Sequence, residues 1–167
     1  MSSMWQRTDE ALLAALVAAL GSAGSYTTLL LRHSAISEVW QPEAWKKPAL
    51  ILYSRDVRQV AQEHGGGTTH VTSRYRYALA LVSEGDSYTE ARQAAQELMR
   101  RAILVLRDWP ALVATIRAAD PTDAEQPLLL RWDGASLRVE PRAGRTNSSS
   151  GQHWGEAALL FEIEAKQ

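Results

Sequence analysis

The sequence predicts an α+β fold: a mainly antiparallel sheet packed by an N-terminal helix and one long central helix, in a single domain spanning 1–167. Three observations carry this expectation. Leu12, Leu13, Leu16, Val17 and Leu20 recur at helical spacing before Gly21. Residues 88–106 repeat small and apolar side chains at steps of three and four. Residues 74–82, 128–140 and 154–165 alternate apolar with polar side chains, and turn residues lie between them. Short turns favour antiparallel pairing, and strands that cluster before and after a helix read as α+β.

The elements follow in chain order. Thr8 or Asp9 is placed to cap the first helix, and Gly21 to stop it. Leu29, Leu30 and Leu31 suit a short strand or a buried turn. Trp40, Pro42, Trp45 and Pro48 suit a bent connection. Residues 49–53 read as a short strand. The polar stretch that follows ends in Gly65, Gly66 and Gly67, and three glycines in a row lose too much backbone entropy to sit inside an element. A mobile loop is therefore expected over 61–72. In the next strand Tyr75, Tyr77, Leu79 and Leu81 share one face, and Arg74, Arg76, Ala78 and Ala80 the other.

Ser87 and Glu90 have the spacing of a capping box, in which the hydroxyl accepts from the N–H three residues on and the carboxylate reaches back. The helix they open carries Tyr88, Ala91, Ala95, Leu98, Ala102 and Val105 on one stripe. It has Glu97 and Arg101 at i, i+4 on its other side, and ends near Arg107, ahead of Trp109 and Pro110. Residues 111–118 fit a strand or a helical extension, and 120–123 a turn. Asp133-Gly134 predicts a type I′ hairpin over 128–140, with Trp132 opposite Ala135, Leu130 opposite Leu137 and Leu128 opposite Val139. Residues 141–153 read as a second mobile loop. In the last strand Ala157, Leu159, Phe161 and Ile163 face one way, and Glu156, Glu162 and Glu164 the other.

Composition narrows the function classes. The 18 Lys and Arg nearly balance 19 Asp and Glu, so the formal net charge of −1 offers no overall attraction to nucleic acid or anionic lipid. With no cysteine there is no disulfide, thiolate metal site or cysteine nucleophile. The run 11–20 is too short to span a bilayer. Asp9 and Glu10 stand where a secretory signal needs basic residues, which favours a first helix and cytoplasmic assembly.

No phosphate-binding, dinucleotide, zinc-protease or serine-hydrolase motif is present, so no catalytic residue, cofactor or metal is expected. His64 and His70 flank the glycines without a carboxylate pattern to complete a metal site. Asp120, Asp123 and Glu125 surround Pro121 and read as a solvated turn. Arg138, Arg142 and Arg145 form a local basic patch interrupted by Glu140. Six Trp accompany a single Phe. Trp109 and Trp132 fit core or core-edge positions. Trp5, Trp40 and Trp45 lie in irregular segments and are candidates for a subunit interface, where Trp brings large area at low entropy loss.

The layout resembles the tail terminator, or tail-completion, proteins of long-tailed bacteriophages and gene transfer agents. The resemblance rests on the N-terminal helix, on Lys47-Pro48-Ala49-Leu50-Ile51-Leu52, and on the strand Arg74-Tyr75-Arg76-Tyr77-Ala78-Leu79-Ala80-Leu81. The Ala-faced helix over 88–106 and Trp154-Gly155 before the final strand complete it. It spans roughly 8–165 in size, order and texture, without a signature motif. It implies a homo-hexameric ring in the virion tail that stops tube polymerisation and joins tail to head. The implied partners are further copies of itself, the tail-tube protein and a head–neck connector, with no sequence-specific nucleic acid and no membrane. A head-completion or neck connector protein and a small ligand-binding domain are the alternatives. Two expectations follow for the ring. Arg138, Arg142 and Arg145 would meet Glu156, Glu162 and Glu164 across subunits, and Gly65, Gly66 and Gly67 would become ordered against a partner.

Overall fold

The computed structural model describes residues 3–20, 27–32, 48–64, 68–141 and 153–166, with backbone alone for 27–32, 60–64 and 68–70. The first helix, α1, runs Met4–Leu20. It starts earlier than expected, because Ser3 rather than Thr8 or Asp9 is the cap. The Ser3 Oγ accepts from the Gln6 N–H at 3.2 Å. Counted from Met4, the buried positions Met4, Thr8, Leu12, Leu16 and Leu20 are one unbroken i, i+4 row.

The strands are β1 (Thr27–Arg32), β2 (Ala49–His64), β3 (Thr68–Gly85), β4 (Gln126–Pro141) and β5 (His153–Lys166). They form one sheet in the order β1-β2-β3-β5-β4. Four strands are antiparallel to their neighbours, and β1 adds to β2 in parallel. Two helices lie between β3 and β4: α2 (Tyr88–Arg107) and α3 (Trp109–Ala119), the stretch that read as strand or helix. The main core lies between the helices and one face of the sheet. It includes Leu12 and Leu16 of α1, Leu50 and Leu52 of β2, and Tyr77, Leu79 and Leu81 of β3. Ala95 and Ala102 of α2 and Leu159, Phe161 and Ile163 of β5 complete its centre. The fold class is therefore α+β, as the sequence predicts.

Two expectations are overturned. Residues 61–64 and 68–71 are not loop: β2 and β3 pair from Ala49↔Val82 to His64↔Thr68. The three glycines themselves lie outside the described residues, as do 142–152. The pairing was invisible because β5 joins β3 only from Thr72 onward and β1 covers β2 only from Ala49 to Ser54. Beyond that point, among the described residues, β2 and β3 pair only with each other.

Asp133-Gly134 is likewise not a hairpin turn. β4 is one strand that pairs with β5 along its whole length, with register shifts between Pro127 and Leu129 and between Trp132 and Gly134. The extra residue Asp133 switches the side-chain parity, so Leu130 and Trp132 before it share a face with Leu137 and Val139 after it. A bulge and a hairpin explain the same apolar pattern, and fourteen residues of β5 decide for the bulge. Leu128 is the extra residue of the other shift and is exposed.

α2 approaches the sheet unusually closely. A Cβ on Gly155 would stand 2.0 Å from the Ala91 carbonyl oxygen, and one on Gly85 2.4 Å from the Ala91 nitrogen. The buried Ser83 hydroxyl lies 3.2 Å from the carbonyl oxygens of both Ala91 and Gly155, tying helix to strand at this contact. The capping box forms with one change. The Ser87 Oγ accepts from the Glu90 N–H at 3.2 Å, while the Glu90 carboxylate accepts from the Asp86 N–H at 3.0 Å. Ala91, Ala95, Ala102 and Leu106 are buried, whereas Tyr88 of the expected stripe is exposed.

Candidate interface surfaces

The sheet face opposite the main core carries an ordered set of charges. Strand alternation places Arg74 and Arg76 of β3, Glu156, Glu162 and Glu164 of β5, and Arg131 and Arg138 of β4 on this side. Arg76 reaches Asp56 of β2 at 3.1 Å and Glu162 at 3.6 Å. Glu164 lies between Arg74 at 3.4 Å and Arg131 at 3.2 Å. Arg138 holds Glu156 at 2.7 Å and Glu140 at 3.2 Å. Opposite charges on neighbouring strands stabilise the sheet by about 0.2–1 kcal/mol per pair.

Glu156, Glu162 and Glu164 each meet an arginine of their own chain. Arg142 and Arg145 lie outside the described residues, as do Trp40, Trp45, Gly65, Gly66 and Gly67. Trp5 is half-buried on the main core. Its indole N–H donates to the Ser54 hydroxyl, and its ring lies 6.0 Å from that of Tyr75. Trp109 packs at the core edge and donates to the Leu128 carbonyl at 3.3 Å. Trp132 touches Phe161 edge-on, at 6.4 Å between centroids, but is 46% exposed, so it belongs to the sheet edge rather than the core.

Sequence reasoning missed a buried polar cluster beneath α1. Arg7 is only 2% exposed. Its guanidinium lies 3.3 Å from Asp120 and 2.6 Å from Asp123, so the 120–123 turn is a clamp on α1 as well as a connection. Tyr77 donates to buried Asp9 at 2.9 Å, and Tyr75 to Glu125 at 2.7 Å. Burial, then the Asp9 charge and hydrogen bond, push the Tyr77 phenol well above its ordinary range. Burial and Glu125 do the same to Tyr75. Hydrogen bonding from the Thr122 hydroxyl, with Arg7 nearby, holds the Asp120 carboxyl below its ordinary value. The available signal was the i, i+4 row: extending it back from Leu12 places Thr8 inside the helix, not at its cap.

On the helix side, an open groove of about 610 Å³ runs between α1, α2 and α3. Ala11, Ala15, Leu104, Val105, Ala111 and Leu112 make it apolar, with Arg101 and Asp108 also lining it. Among the described residues no three His, Cys, Asp or Glu side chains gather as a metal site, and no helix is long and apolar enough to cross a membrane. The chain matches no family model and no curated protein.

Proposed function

We propose that the chain is a structural subunit of a phage-type tail: a terminator that forms a ring, caps the tail tube, stops its polymerisation and joins tail to head. The observation that carries the reading is the far end of the β2–β3 ribbon. The four rungs from Ala61↔Val71 to His64↔Thr68 extend past the last β3–β5 pair, Thr72↔Lys166. Four residues of strand reach about 13 Å. A two-stranded ribbon is marginally stable by itself and gains from docking on something else. A subunit that must seat on a tube or clasp a neighbour needs such an arm, and the helix-packed sheet behind it supplies a rigid base. Layout and texture of the sequence support the same reading. The partners are further copies of the chain, the tube protein and a head-side connector.

The test is native mass of the purified chain together with electron microscopy of tail tubes mixed with it. The reading expects six-copy rings at tube ends and slower amide exchange over 61–71 in the bound state than in the free one. A stable monomer that never binds tubes, or equal exchange in both states, defeats it.

A further inference from the structure

We propose that β4 is a self-complementary edge through which two copies of this chain join, β4 against β4 and antiparallel, about a two-fold axis at Ser136. Among the described residues β4 pairs only with β5. Leu128 and Trp132 are 52% and 46% exposed, and Arg131, Ser136, Arg138 and Glu140 are exposed as well. A sixteen-residue strand with one side unpaired among the described residues is a template for another strand.

The faces of β4 fix which register a second copy can take. A two-fold axis perpendicular to the sheet keeps every side chain on its own side, so residues directly opposite must share a face. The bulge leaves Asp133 out of the count. Centred on Ser136, Ala135 then stands opposite Leu137 of the partner subunit, and Trp132 opposite Val139 of the partner subunit. Gly134 meets Arg138 of the partner subunit, and Arg131 meets Glu140 of the partner subunit. The exposed indole gains an apolar neighbour, and the charges on the other face pair with opposite sign. A Cβ at Gly134 would meet nothing within 4 Å, so there is open space for an arginine stem. That arginine keeps its own carboxylate, Glu156, at 2.7 Å.

The neighbouring registers lack this agreement. Centring on Ala135 sets Arg131 against Arg138. Centring on Leu137 sets Glu140 against Gly134 and leaves Arg131 without a partner in β4. The complementarity therefore selects one register and one occupant, a second copy of the chain. This goes beyond the ring reading, because a ring closes through head-to-tail contacts and this contact is isologous.

The experiment uses the full chain, which has no cysteine of its own. Ser136→Cys places two thiols opposite each other, where directly paired Cβ atoms lie about 4.5–5.5 Å apart. Mild oxidation should link it into covalent dimers far faster than Thr115→Cys, an exposed position on α3. Light scattering over a concentration series should give a dimer for the unmodified chain. Arg131→Glu should raise the dimer dissociation constant about tenfold or more, since like charges then face each other twice. Adding Glu140→Arg should reverse most of that loss, which repair of folding alone would not do because Glu140 does not touch Arg131 within one chain. A monomer at all concentrations, equal crosslinking at 136 and 115, or no rescue by the double variant overturns the proposal. Six-copy rings without a crosslink at 136 overturn it and leave the ring reading intact. A dimer crosslinked at 136 that ignores tubes supports it and defeats the ring reading.

Discussion

Arg7 shows how one side chain sets the cost of its neighbours. A guanidinium stays charged at any working pH, so removing its partners strands a buried cation. Its carboxylates are 14% and 25% exposed and can hydrate when the cation is gone. Asp123→Asn is therefore expected to lower stability by about 2–3 kcal/mol, and Arg7→Met by less, in urea unfolding. The reverse order would show that the carboxylates, not the cation, are the poorly solvated partners. Tyr77 makes a separate prediction in alkali. Its phenol ionises at an ordinary pH when unfolded and resists ionisation when folded. The raised folded pKa means its contribution is full below about pH 10 and is lost as pH climbs beyond it. Tyr77→Phe should flatten the fall in stability above pH 10, and it should cost about 1–3 kcal/mol at pH 7, because Asp9 loses a buried donor. An unchanged alkaline slope would assign that fall to other groups. Gly155 is constrained by space: the Ala91 backbone occupies the place of a Cβ, so Gly155→Ala should destabilise by about 1–3 kcal/mol or more as α2 is pushed off β5. A melting temperature equal to that of the unsubstituted chain would show that the helix can shift freely.

The elements divide by how local their causes are. α2 is set by neighbours in sequence: the Ser87 cap, the alanine row and the Glu97–Arg101 pair all act within one turn. Ser87→Ala should cost about 1 kcal/mol in thermal unfolding, with a smaller loss if water replaces the hydroxyl. Arg100 and Arg101, at 2.8 and 2.9 Å, hold the exposed Glu97 carboxyl down to about 2. A depressed folded value means this support is present above the unfolded value of 4.5 and fades as pH falls toward 2. Such elements were legible, as were the faces of β3 and β5, because a period of two or 3.6 is written in the residues themselves. β4 was not, because its fate depends on a partner strand. Asp-Gly favours both a turn and a bulge, and only the length of β5 distinguishes them. The cluster around Arg7 was hidden for a related reason: its cation and the Asp123 carboxylate are 116 positions apart. The faces of Glu156, Glu162 and Glu164 were legible from strand alternation, but no local pattern says that Arg74 and Arg131 come within reach of Glu164 from the strands on either side.

At the scale of the whole molecule, stability and the proposed assembly role sit in different places. Among the described residues the main core lies between three helices and one face of the sheet, and the opposite face carries a smaller buried cluster of Ala49, Ile51 and Val82 beside pairs such as Asp56–Arg76 and Arg138–Glu156. Beyond Thr72 the last four rungs of the β2–β3 ribbon run past the last β3–β5 pair and, among the described residues, pair with each other. Shortening a surface excursion changes chain entropy only slowly, by about 0.6 kcal/mol for each halving of length. Replacing residues 61–71 with a two-residue Asn-Gly turn should therefore leave urea stability within about 1 kcal/mol, because the β-sheet twist is kept by a turn of matching hand. The same variant should lose tube capping, since the arm is the element proposed to seat on the tube. Both halves are measured on one preparation: a denaturation curve for the fold, and the length distribution of tubes polymerised in its presence. Normal stability with uncapped, overlong tubes is the expected result. Tubes of normal length would remove the arm from the mechanism. A collapse of stability would instead make the arm part of the fold's own foundation, with β2 and β3 depending on their far end to stay paired near the core.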